Sequence, residues 1–302
     1  MACLLARWRP VRDYFLLSVI DPGPWELLDG CSVCLEGEAG VGLGVCRSKR
    51  GIMRLSRSIC KVVPGCRRSL KDLHDLLRGL PRVSYGSITK ELIRHYVARP
   101  DPTIIEVGCN DGENTLWFLE VFESAKVHCF EPDPRAVARF KRNVGERPNV
   151  DLLQVAVGDH VGQVPFYQSS GQRNKEEIED MPEGWDRSGS IRRPKDHRAV
   201  YPWVTFEHAI TVSMETLDAW CDKAGVQVVD FLWMDVQGAE LDVLKGAGRT
   251  LGSTRFLYTE YGDRELYEGQ AHLKELLRHL KQWEVLIRYP CDVLLANREW
   301  AR

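Results

Sequence analysis

The segment Glu106-Val107-Gly108-Cys109-Asn110-Asp111-Gly112-Glu113-Asn114-Thr115 contains two glycines four residues apart, between a short apolar run and an amphipathic helix. Glycine suits a tight backbone turn or a close approach to a ligand, and the free N–H groups at a helix start favour polar or anionic ligand groups. A strand-to-helix turn with a purely structural role has the same composition. The turn by itself therefore leaves both interpretations open.

The spacing of these glycines differs from the G-x-G-x-x-G pattern that places a pyrophosphate at a helix N-terminus. Asn110 and Glu113 stand where that pattern has its second and third glycines. The carboxylates of Asp111 and Glu113 would repel a pyrophosphate, whereas they tolerate a cationic sulfonium or ammonium group. The turn therefore argues against NAD and FAD.

Short apolar runs alternate with amphipathic helices from Thr103 onward, which is typical of a parallel α/β sheet. Two closing strands, residues 284–288 and 292–296, lie too close together in the chain for a parallel crossover. We therefore predict an α/β fold with a doubly wound, mostly parallel sheet and a C-terminal antiparallel hairpin. The other predicted strands are residues 103–107, 126–130, 150–155, 228–234 and 256–259.

The residues before the first strand are of two kinds. Two amphipathic helices are predicted within residues 59–100, one at 69–78 and one at 88–97 with Ser87 as its N-cap. Residues 1–58 are rich in cysteine, arginine and glycine and show little periodicity. We predict a poorly ordered N-terminal segment at 1–58 and one domain at 59–302.

The composition limits the partners of the chain. Its formal net charge is −2 over 302 residues, which does not favour nucleic acid as a partner. Its apolar runs are shorter than the roughly 18 to 20 residues that span a bilayer, so we predict no membrane span. Cys31, Cys34 and Cys46 are spaced irregularly and have no paired histidine nearby, so a zinc site is the weaker alternative and no metal is predicted.

The cysteine content bears on the compartment. The first twenty residues do not resemble a secretory signal, because charged side chains interrupt the apolar stretch. The ten cysteines are then most simply reduced thiols of a cytoplasmic protein. An arginine-rich organelle-targeting peptide is the alternative.

A second acidic position follows the next strand. Phe130-Glu131-Pro132-Asp133 places Glu131 at a strand tip beside the glycine turn, where a carboxylate can accept hydrogen bonds from both hydroxyls of a ribose. Asp133 precedes a proline and is predicted to be the N-cap of a helix. Glu131 is therefore the candidate for ribose binding.

These motifs together resemble the FkbM family of class I, Rossmann-like, S-adenosylmethionine-dependent methyltransferases. The resemblance runs from about residue 60 to 297 and includes E-V-G-x-N-x-G, F-E-P-x-P, V-A-V-G-D and T-E-Y. Its most specific part is D-F-L-W-M-D-V-Q-G-A-E-L-D-V-L-K-G-A, residues 230–247. The resemblance implies a seven-stranded sheet with one antiparallel strand, S-adenosylmethionine as methyl donor, and O-methylation of a sugar, polyketide or related small molecule.

The resemblance also implies roles for particular residues. Asp235, after the fourth strand, would face the methyl group and the acceptor. Many family members have glutamate where this chain has Gln237, which leaves any role of that side chain as a base in doubt. The implied cofactor residues are Glu106, Gly108, Asn110 and Gly112 at the methionine part, Glu131 at the ribose, and Ala156 and Val157 at the adenine.

The acceptor side has fewer signals. Asp235 either orients and deprotonates the acceptor or only binds the ammonium group of the cofactor. Residues 168–206 show no regular element and are predicted to form a lid or recognition insertion, in which His197 is a second candidate proton acceptor. The basic residues of this insertion suggest an acidic acceptor, unless they are simply solvated. Candidate acceptor-binding residues are Ser190, Arg192, Arg193, Gln237 and Glu260.

The sequence therefore predicts a methyltransferase that modifies a hydroxyl of a saccharide, glycoconjugate or other small metabolite. The alternatives are a catalytically inactive methyltransferase fold that acts as a binding or scaffold module, and a nicotinamide-dependent oxidoreductase. Intact Gly108, Gly112, Glu131 and Asp235 argue against the first alternative, and the glycine spacing argues against the second.

Overall fold

The computed structural model describes residues 79–172 and 184–300, and only the backbone of four short strands before residue 79. The chain divides into two units, Met1–Arg78 and Gly79–Arg302. The predictions on the order of residues 1–58, on a helix at 69–78 and on the thiol side chains of Cys31, Cys34 and Cys46 concern residues outside this description. The first unit contains two antiparallel pairs, β1 (Pro10–Val11) with β2 (Tyr14–Phe15) and β3 (Ser32–Cys34) with β4 (Val45–Arg47).

The second unit contains two sheets flanked by helices. Its strands are β5 (Thr103–Val107), β6 (Lys126–Phe130), β7 (Val150–Leu153), β8 (Ala156–Val157), β9 (Gly162–Gly171), β10 (Val204–Glu215), β11 (Val229–Met234), β12 (Thr254–Glu260), β13 (Trp283–Arg288) and β14 (Asp292–Asn297). Its described helices are α1 (Lys90–Val97), α2 (Glu113–Val121), α3 (Pro134–Val144), α4 (His197–Val200), α5 (Leu217–Ala224), α6 (Glu240–Lys245), α7 (Gly248–Gly252) and α8 (Leu273–His279).

The larger sheet has seven strands in the order β13-β14-β12-β11-β5-β6-β7. Strand β14 runs antiparallel to both of its neighbours, and the other pairings are parallel. The predicted doubly wound sheet with a closing hairpin is thus confirmed. The strand order reverses between β5 and β11, and ligands bind beyond the carboxyl ends of the strands at such a reversal.

Two helix starts show how local sequence sets the elements around this edge. Helix α3 begins after Asp133, whose side chain accepts a hydrogen bond from the N–H of Arg135, with Pro134 at the first position, as predicted. Helix α1 is capped by Thr89, whose side chain accepts from Leu92, so the prediction that Ser87 is the cap is wrong. Ser87 lies two residues before Thr89, too far from the first hydrogen-bonded turn to reach its free N–H groups.

The smaller sheet corrects the prediction that residues 168–206 contain no regular element. Strands β9 and β10 pair antiparallel over most of their length, and β8 lies parallel to β10 on its other side. The two ends of the predicted insertion therefore belong to a long hairpin, and α4 lies between them. The pairing was missed because β9 carries mostly polar side chains and half-buried positions, which give little alternation to detect.

Among the described residues, no helix combines the length and the apolar character needed to cross a membrane.

Candidate active site

An open cavity lies at the carboxyl ends of β5, β6 and β11, where ligands bind in sheets of this kind. The structure brings eight of the predicted site residues to its wall, namely Gly108, Asn110, Glu131, Ala156, Val157, Ser190, Asp235 and Gln237. Six predicted residues do not line it, namely Glu106, Gly112, Arg192, Arg193, His197 and Glu260.

The glycine turn after β5 is held against the neighbouring strand tip. Gly108 has φ +84°, and a Cβ atom there would lie 1.9 Å from the carbonyl oxygen of Asp235. Its N–H donates to the carbonyl of Phe130 over 2.8 Å. Glycine is therefore required at position 108 by both conformation and space, because the turn passes directly over the backbone that carries Asp235.

Gly112 packs the turn against a neighbouring helix. It also has positive φ, and a Cβ atom there would lie 2.4 Å from Cγ2 of Val144 on α3. This glycine lets α2 pack closely on α3, and it does not line the cavity. It thereby shapes the turn.

Glu106 lies beneath the turn and is completely buried. Its Oε2 accepts a hydrogen bond from the Thr115 hydroxyl over 2.5 Å, while its Oε1 has no partner among the described residues. Burial raises the pKa of Glu106 to about 8. The side chain braces the start of α2 from below, and the structure does not bring it to the cavity surface.

Glu131 lines the cavity at the tip of β6, and its carboxyl is fixed by the backbone. Oε2 accepts from the N–H of Asn110 over 3.0 Å, and Oε1 accepts from the N–H of Asp133 over 2.8 Å. Burial, together with the nearby charges of Asp133 and Asp186, raises the pKa of Glu131 to about 8. Each oxygen keeps a second lone pair with which it can accept a hydroxyl group.

The opposite wall of the cavity is apolar. Ala156 and Val157 of β8 line it and are buried, next to Phe166 of β9. Val155 and Ile191 extend this surface. An apolar wall facing a fixed carboxyl suits a flat heterocycle joined to a ribose.

Residues 184–191, which we call the cover segment, close one side of the cavity. They lie within the predicted lid or recognition insertion, in which Ser190 was a site candidate but Asp186 and Arg187 were not. Asp186 is buried and accepts a hydrogen bond from Arg139 on α3 over 2.7 Å. The Asn110 side chain donates to the same carboxyl over 3.4 Å. Arg187 contacts Asp111 and Glu113 of the glycine turn over 3.0 and 3.2 Å.

The two acids of the glycine turn, Asp111 and Glu113, do not carry an unbalanced negative charge. Arg187, 74 or more positions away in the chain, balances it. No local pattern could have shown this, because the contacts join the turn to the loop between two strands of another sheet.

The tip of β11 carries the acceptor-side candidates. The amide nitrogen of Gln237 lies 2.6 Å from Oδ1 of Asp235 and 3.3 Å from Oε2 of Glu260. Burial raises the pKa of Asp235, and burial together with the charge of Asp235 raises the pKa of Glu260. Glu260 does not line the cavity, and its link to the site is the contact with Gln237, which also contacts Asp235.

Ser190 lines the cavity, and its hydroxyl donates to the carbonyl of Gln237 over 2.8 Å while accepting from the N–H of Arg192. This hydroxyl ties the cover segment to the tip of β11. Its contacts within the chain support a positioning role for the side chain.

Four basic side chains of the insertion suggested an acidic acceptor, namely Arg192, Arg193, Lys195 and Arg198, and none of them lines the cavity. Arg192 donates to both carboxylate oxygens of Asp242 over 2.7 and 2.8 Å, and Lys195 pairs with Glu265 over 2.5 Å. Arg193 is exposed and lies over the ring of Tyr167.

His197 lies outside the cavity, packed among the rings of Tyr201, Phe206 and Tyr267. Burial lowers the pKa of His197 to about 4, and its Nδ1 has no hydrogen-bond partner among the described residues. The structure does not bring this imidazole to a position from which it could take a proton from a ligand in the cavity.

The residues present fit S-adenosylmethionine. Glu131 is buried and Asp235 is half-buried, and they follow β6 and β11, the two strands on either side of β5. Burial raises the pKa of both carboxyl groups. A ligand with a ribose, an apolar heterocycle and positive charge matches this set. Once bound, it supplies an activated methyl group.

The sheet order and the cavity at the ends of β5, β6 and β11 define a class I methyltransferase that uses S-adenosylmethionine. The chain belongs to the FkbM methyltransferase family, since the model of the Methyltransferase FkbM domain matches residues 106–285. It is 42% identical over 229 residues to 2-O-methyltransferase NoeI of Sinorhizobium fredii (strain NBRC 101917 / NGR234), covering 74% of this chain and 91% of that protein.

Solved structures with a similar chain path include an rRNA methylase from Streptococcus thermophilus, with 10% identity, a TM-score of 0.36, and coverage of 69% of this chain and 93% of the other. Fibrillarin from Aeropyrum pernix, in complex with S-adenosyl-L-methionine, has 13% identity, a TM-score of 0.34, and coverage of 65% and 66%.

Proposed function

We propose that this chain transfers a methyl group from S-adenosylmethionine to a hydroxyl oxygen of a small polar acceptor, a saccharide or related metabolite. The observation that carries the proposal is the half-buried carboxyl of Asp235 on the cavity wall, beside the turn at Gly108. A hydroxyl acceptor must lose its proton when it is methylated, and a carboxylate at the reacting end of the cavity can receive that proton.

The other residues around Asp235 bind the cofactor or exclude water. Glu131, with its two oxygens fixed by backbone N–H groups, accepts the ribose hydroxyls, and Ala156 and Val157 bound the adenine. Asn110 and the cover segment exclude water from one side of the cavity. The protein thus aligns two reactants and removes one proton, and alignment contributes the larger share of the rate.

The acceptor in this proposal is neutral or cationic. Arg192 and Lys195 already pair with carboxylates, and Arg187 already pairs with Asp111 and Glu113. A phosphorylated acceptor would bring negative charge to the carboxyls of Asp235 and Glu260. The net charge of −2 agrees with a small-molecule acceptor over nucleic acid.

We also infer a cytoplasmic location. Cys109, Cys129 and Cys221 are buried and form no disulfide in the described part of the chain, which is usual for a reducing compartment.

Calorimetric titration with S-adenosylhomocysteine and with NAD tests the cofactor site. We expect the protein to bind S-adenosylhomocysteine and not NAD. We expect Glu131→Ala to abolish the binding of S-adenosylhomocysteine, and Glu123→Ala, which replaces an exposed acid, to leave it unchanged. Binding of NAD alone would contradict the proposal.

Transfer of labelled methyl groups to a panel of neutral, amine-bearing and phosphorylated sugars tests the reaction. We expect product with neutral or amine-bearing sugars and an ether linkage that survives mild base. Binding of S-adenosylhomocysteine without transfer to any acceptor in the panel or in cell extracts would instead favour the scaffold alternative.

A further inference from the structure

Two carboxyl groups meet at the tips of adjacent parallel strands beside the cavity. Met234 and Thr259 are paired in the register of β11 and β12, so Asp235 and Glu260, the next residue of each strand, stand side by side. The Gln237 amide nitrogen contacts both carboxyl groups, so their oxygens converge on one donor. Two carboxyl groups that share one donor disfavour ionisation of both, because like charges repel.

The orientation of Gln237 is fixed from its other end. The Tyr267 hydroxyl has one hydrogen, which it shares between the carbonyl of Ser188 over 2.8 Å and Oε1 of Gln237 over 3.2 Å. The amide oxygen therefore faces Tyr267, and the two amide N–H groups face the carboxyls. Gln237 also has φ +51°, a conformation that only the surrounding contacts can hold.

The groups around Asp235 and Glu260 do not neutralise a second negative charge on this pair. From α6 the buried acid Glu240 faces the pair, and from β14 Asp292 does so. Tyr267 and Tyr258 approach from other elements without positive charge. Arg187 is the cation that acts on Asp235 among the described residues, and it is already paired with Asp111 and Glu113.

We propose that Asp235 and Glu260 share one proton, which resides on Glu260, and that Glu260 and Gln237 thereby keep Asp235 ionised to receive the proton of the acceptor hydroxyl. The assignment of the proton follows from position, since Asp235 lines the cavity and Glu260 does not. This inference rests on the proposed function. It makes Asp235 the catalytic residue and makes Glu260 and Gln237 positioning residues.

The methyl transfer then forms one bond, breaks one bond and moves one proton. The acceptor oxygen forms a bond to the methyl carbon, the bond between that carbon and sulfur breaks with its electron pair on sulfur, and the hydroxyl proton passes to Asp235. One proton leaves the pair to solvent and restores the singly protonated state.

The shared proton also explains why glutamine suits position 237. A glutamate in its place would bring a third carboxyl to the pair, and no described cation could balance it. An amide instead donates one N–H to each carboxyl. Two carboxyl groups this close do not both ionise near neutral pH, as in other carboxyl pairs that share a proton.

The first test compares two substitutions of Glu260 in the full chain. The amide of Glu260→Gln reproduces the protonated carboxyl, because it donates to Asp235 and accepts from Gln237. We expect Glu260→Ala to lower kcat by about 50-fold or more, and Glu260→Gln to recover most of that loss. Asp235→Asn should lower kcat by at least about 100-fold in the same assay. Equal losses in Glu260→Gln and Asp235→Asn would overturn the assignment of the proton to Glu260.

The second test needs no acceptor, so it remains decisive if the proposed function fails. The melting temperature of wild type and Glu260→Gln is measured without ligand from pH 5 to pH 9. A carboxyl that keeps its proton in the folded state stabilises the fold at low pH, and this stabilisation is lost as pH rises through its folded-state pKa. The glutamine variant cannot lose that proton.

We therefore expect the melting temperature of Glu260→Gln relative to wild type to increase with pH. Glu284→Gln, an exposed acid on β13, should show a small and constant difference. A difference for Glu260→Gln that does not change with pH would show that the pair holds no shared proton. Absence of methyl transfer by wild type, with the pH-dependent difference present, would contradict the proposed function alone.

Discussion

Arg139 and Asp186, 47 residues apart in the chain, form an ion pair with an Nη1–Oδ2 distance of 2.6 Å and almost no solvent exposure. The pair joins α3, at the back of the ribose site, to the cover segment at its front. Asn110 of the glycine turn contacts both side chains. Three parts of the chain therefore depend on one buried contact for the shape of the cavity.

We expect Asp186→Ala to lower the free energy of unfolding by about 3 kcal/mol, because it leaves the guanidinium of Arg139 buried and without its partner. Lys223→Ala is the matched control, since it removes an exposed ion pair with Glu215 and should cost less than about 0.5 kcal/mol. Urea denaturation measures both values. Equal losses in the two variants would contradict the structural role of the buried pair.

The close approach of Gly108 to the backbone of Asp235 predicts a loss of cofactor binding in Gly108→Ala. The added methyl group cannot fit 1.9 Å from a carbonyl oxygen, so the turn must move away from β11. We expect the affinity for S-adenosylhomocysteine to fall by about 30-fold or more, the equivalent of about 2 kcal/mol.

Gly145→Ala separates this clash from backbone strain. Gly145 also has positive φ, but no atom lies within 4 Å of the position of its Cβ. We expect this variant to lose about 1 kcal/mol of stability and to bind S-adenosylhomocysteine as wild type does. Calorimetric titration of both variants decides the point, and comparable binding by Gly108→Ala and wild type would show that the turn does not shape the site.

The raised pKa of Glu131 predicts that cofactor binding depends on pH. Its pKa of about 8 means that the carboxyl carries a proton near neutral pH, whereas accepting two ribose hydroxyls requires the ionised form. Binding must therefore release a proton, and the affinity for S-adenosylhomocysteine should rise by up to tenfold per pH unit between about pH 6 and 8.

Glu131→Gln should bind about 10- to 100-fold more weakly at pH 8, because hydrogen bonds to a charged acceptor are lost, and its affinity should vary little with pH. Titration calorimetry in buffers with different ionisation enthalpies counts the protons released. A pH-independent affinity in wild type would contradict the assigned contact with the ribose.

The buried imidazole of His197 predicts acid sensitivity and no role in catalysis. Its pKa of about 4 means that the folded state binds the proton less tightly than the unfolded chain, so stability is lost as pH falls from about 6.5 toward 4. His197→Phe should reduce this loss by roughly 2 kcal/mol. It should also keep kcat within about twofold of wild type, and a drop comparable to that of Asp235→Asn would restore His197 as a proton acceptor.

Much of the fold could be predicted because its signals are local. Residues 103–107 and 126–130 are mostly apolar over the length of one buried strand, and Asp133 with Pro134 marks a helix start through contacts within one turn. The position of Glu131 at the cavity follows from the same reasoning, because parallel strands end at one edge of a sheet. Such features depend on residues that are neighbours in the chain.

The sequence by itself determined the class of fold, the glycine turn and the acid at the tip of the next strand. The tertiary structure decided that Asp186 meets Arg139 and that Arg187 balances Asp111. It also decided that Glu260 lies beside Asp235 and that His197 is packed away from the cavity. The physical reason is that periodicity and capping act over a few residues. Charge pairing and burial depend on which distant segments the sheet order brings together.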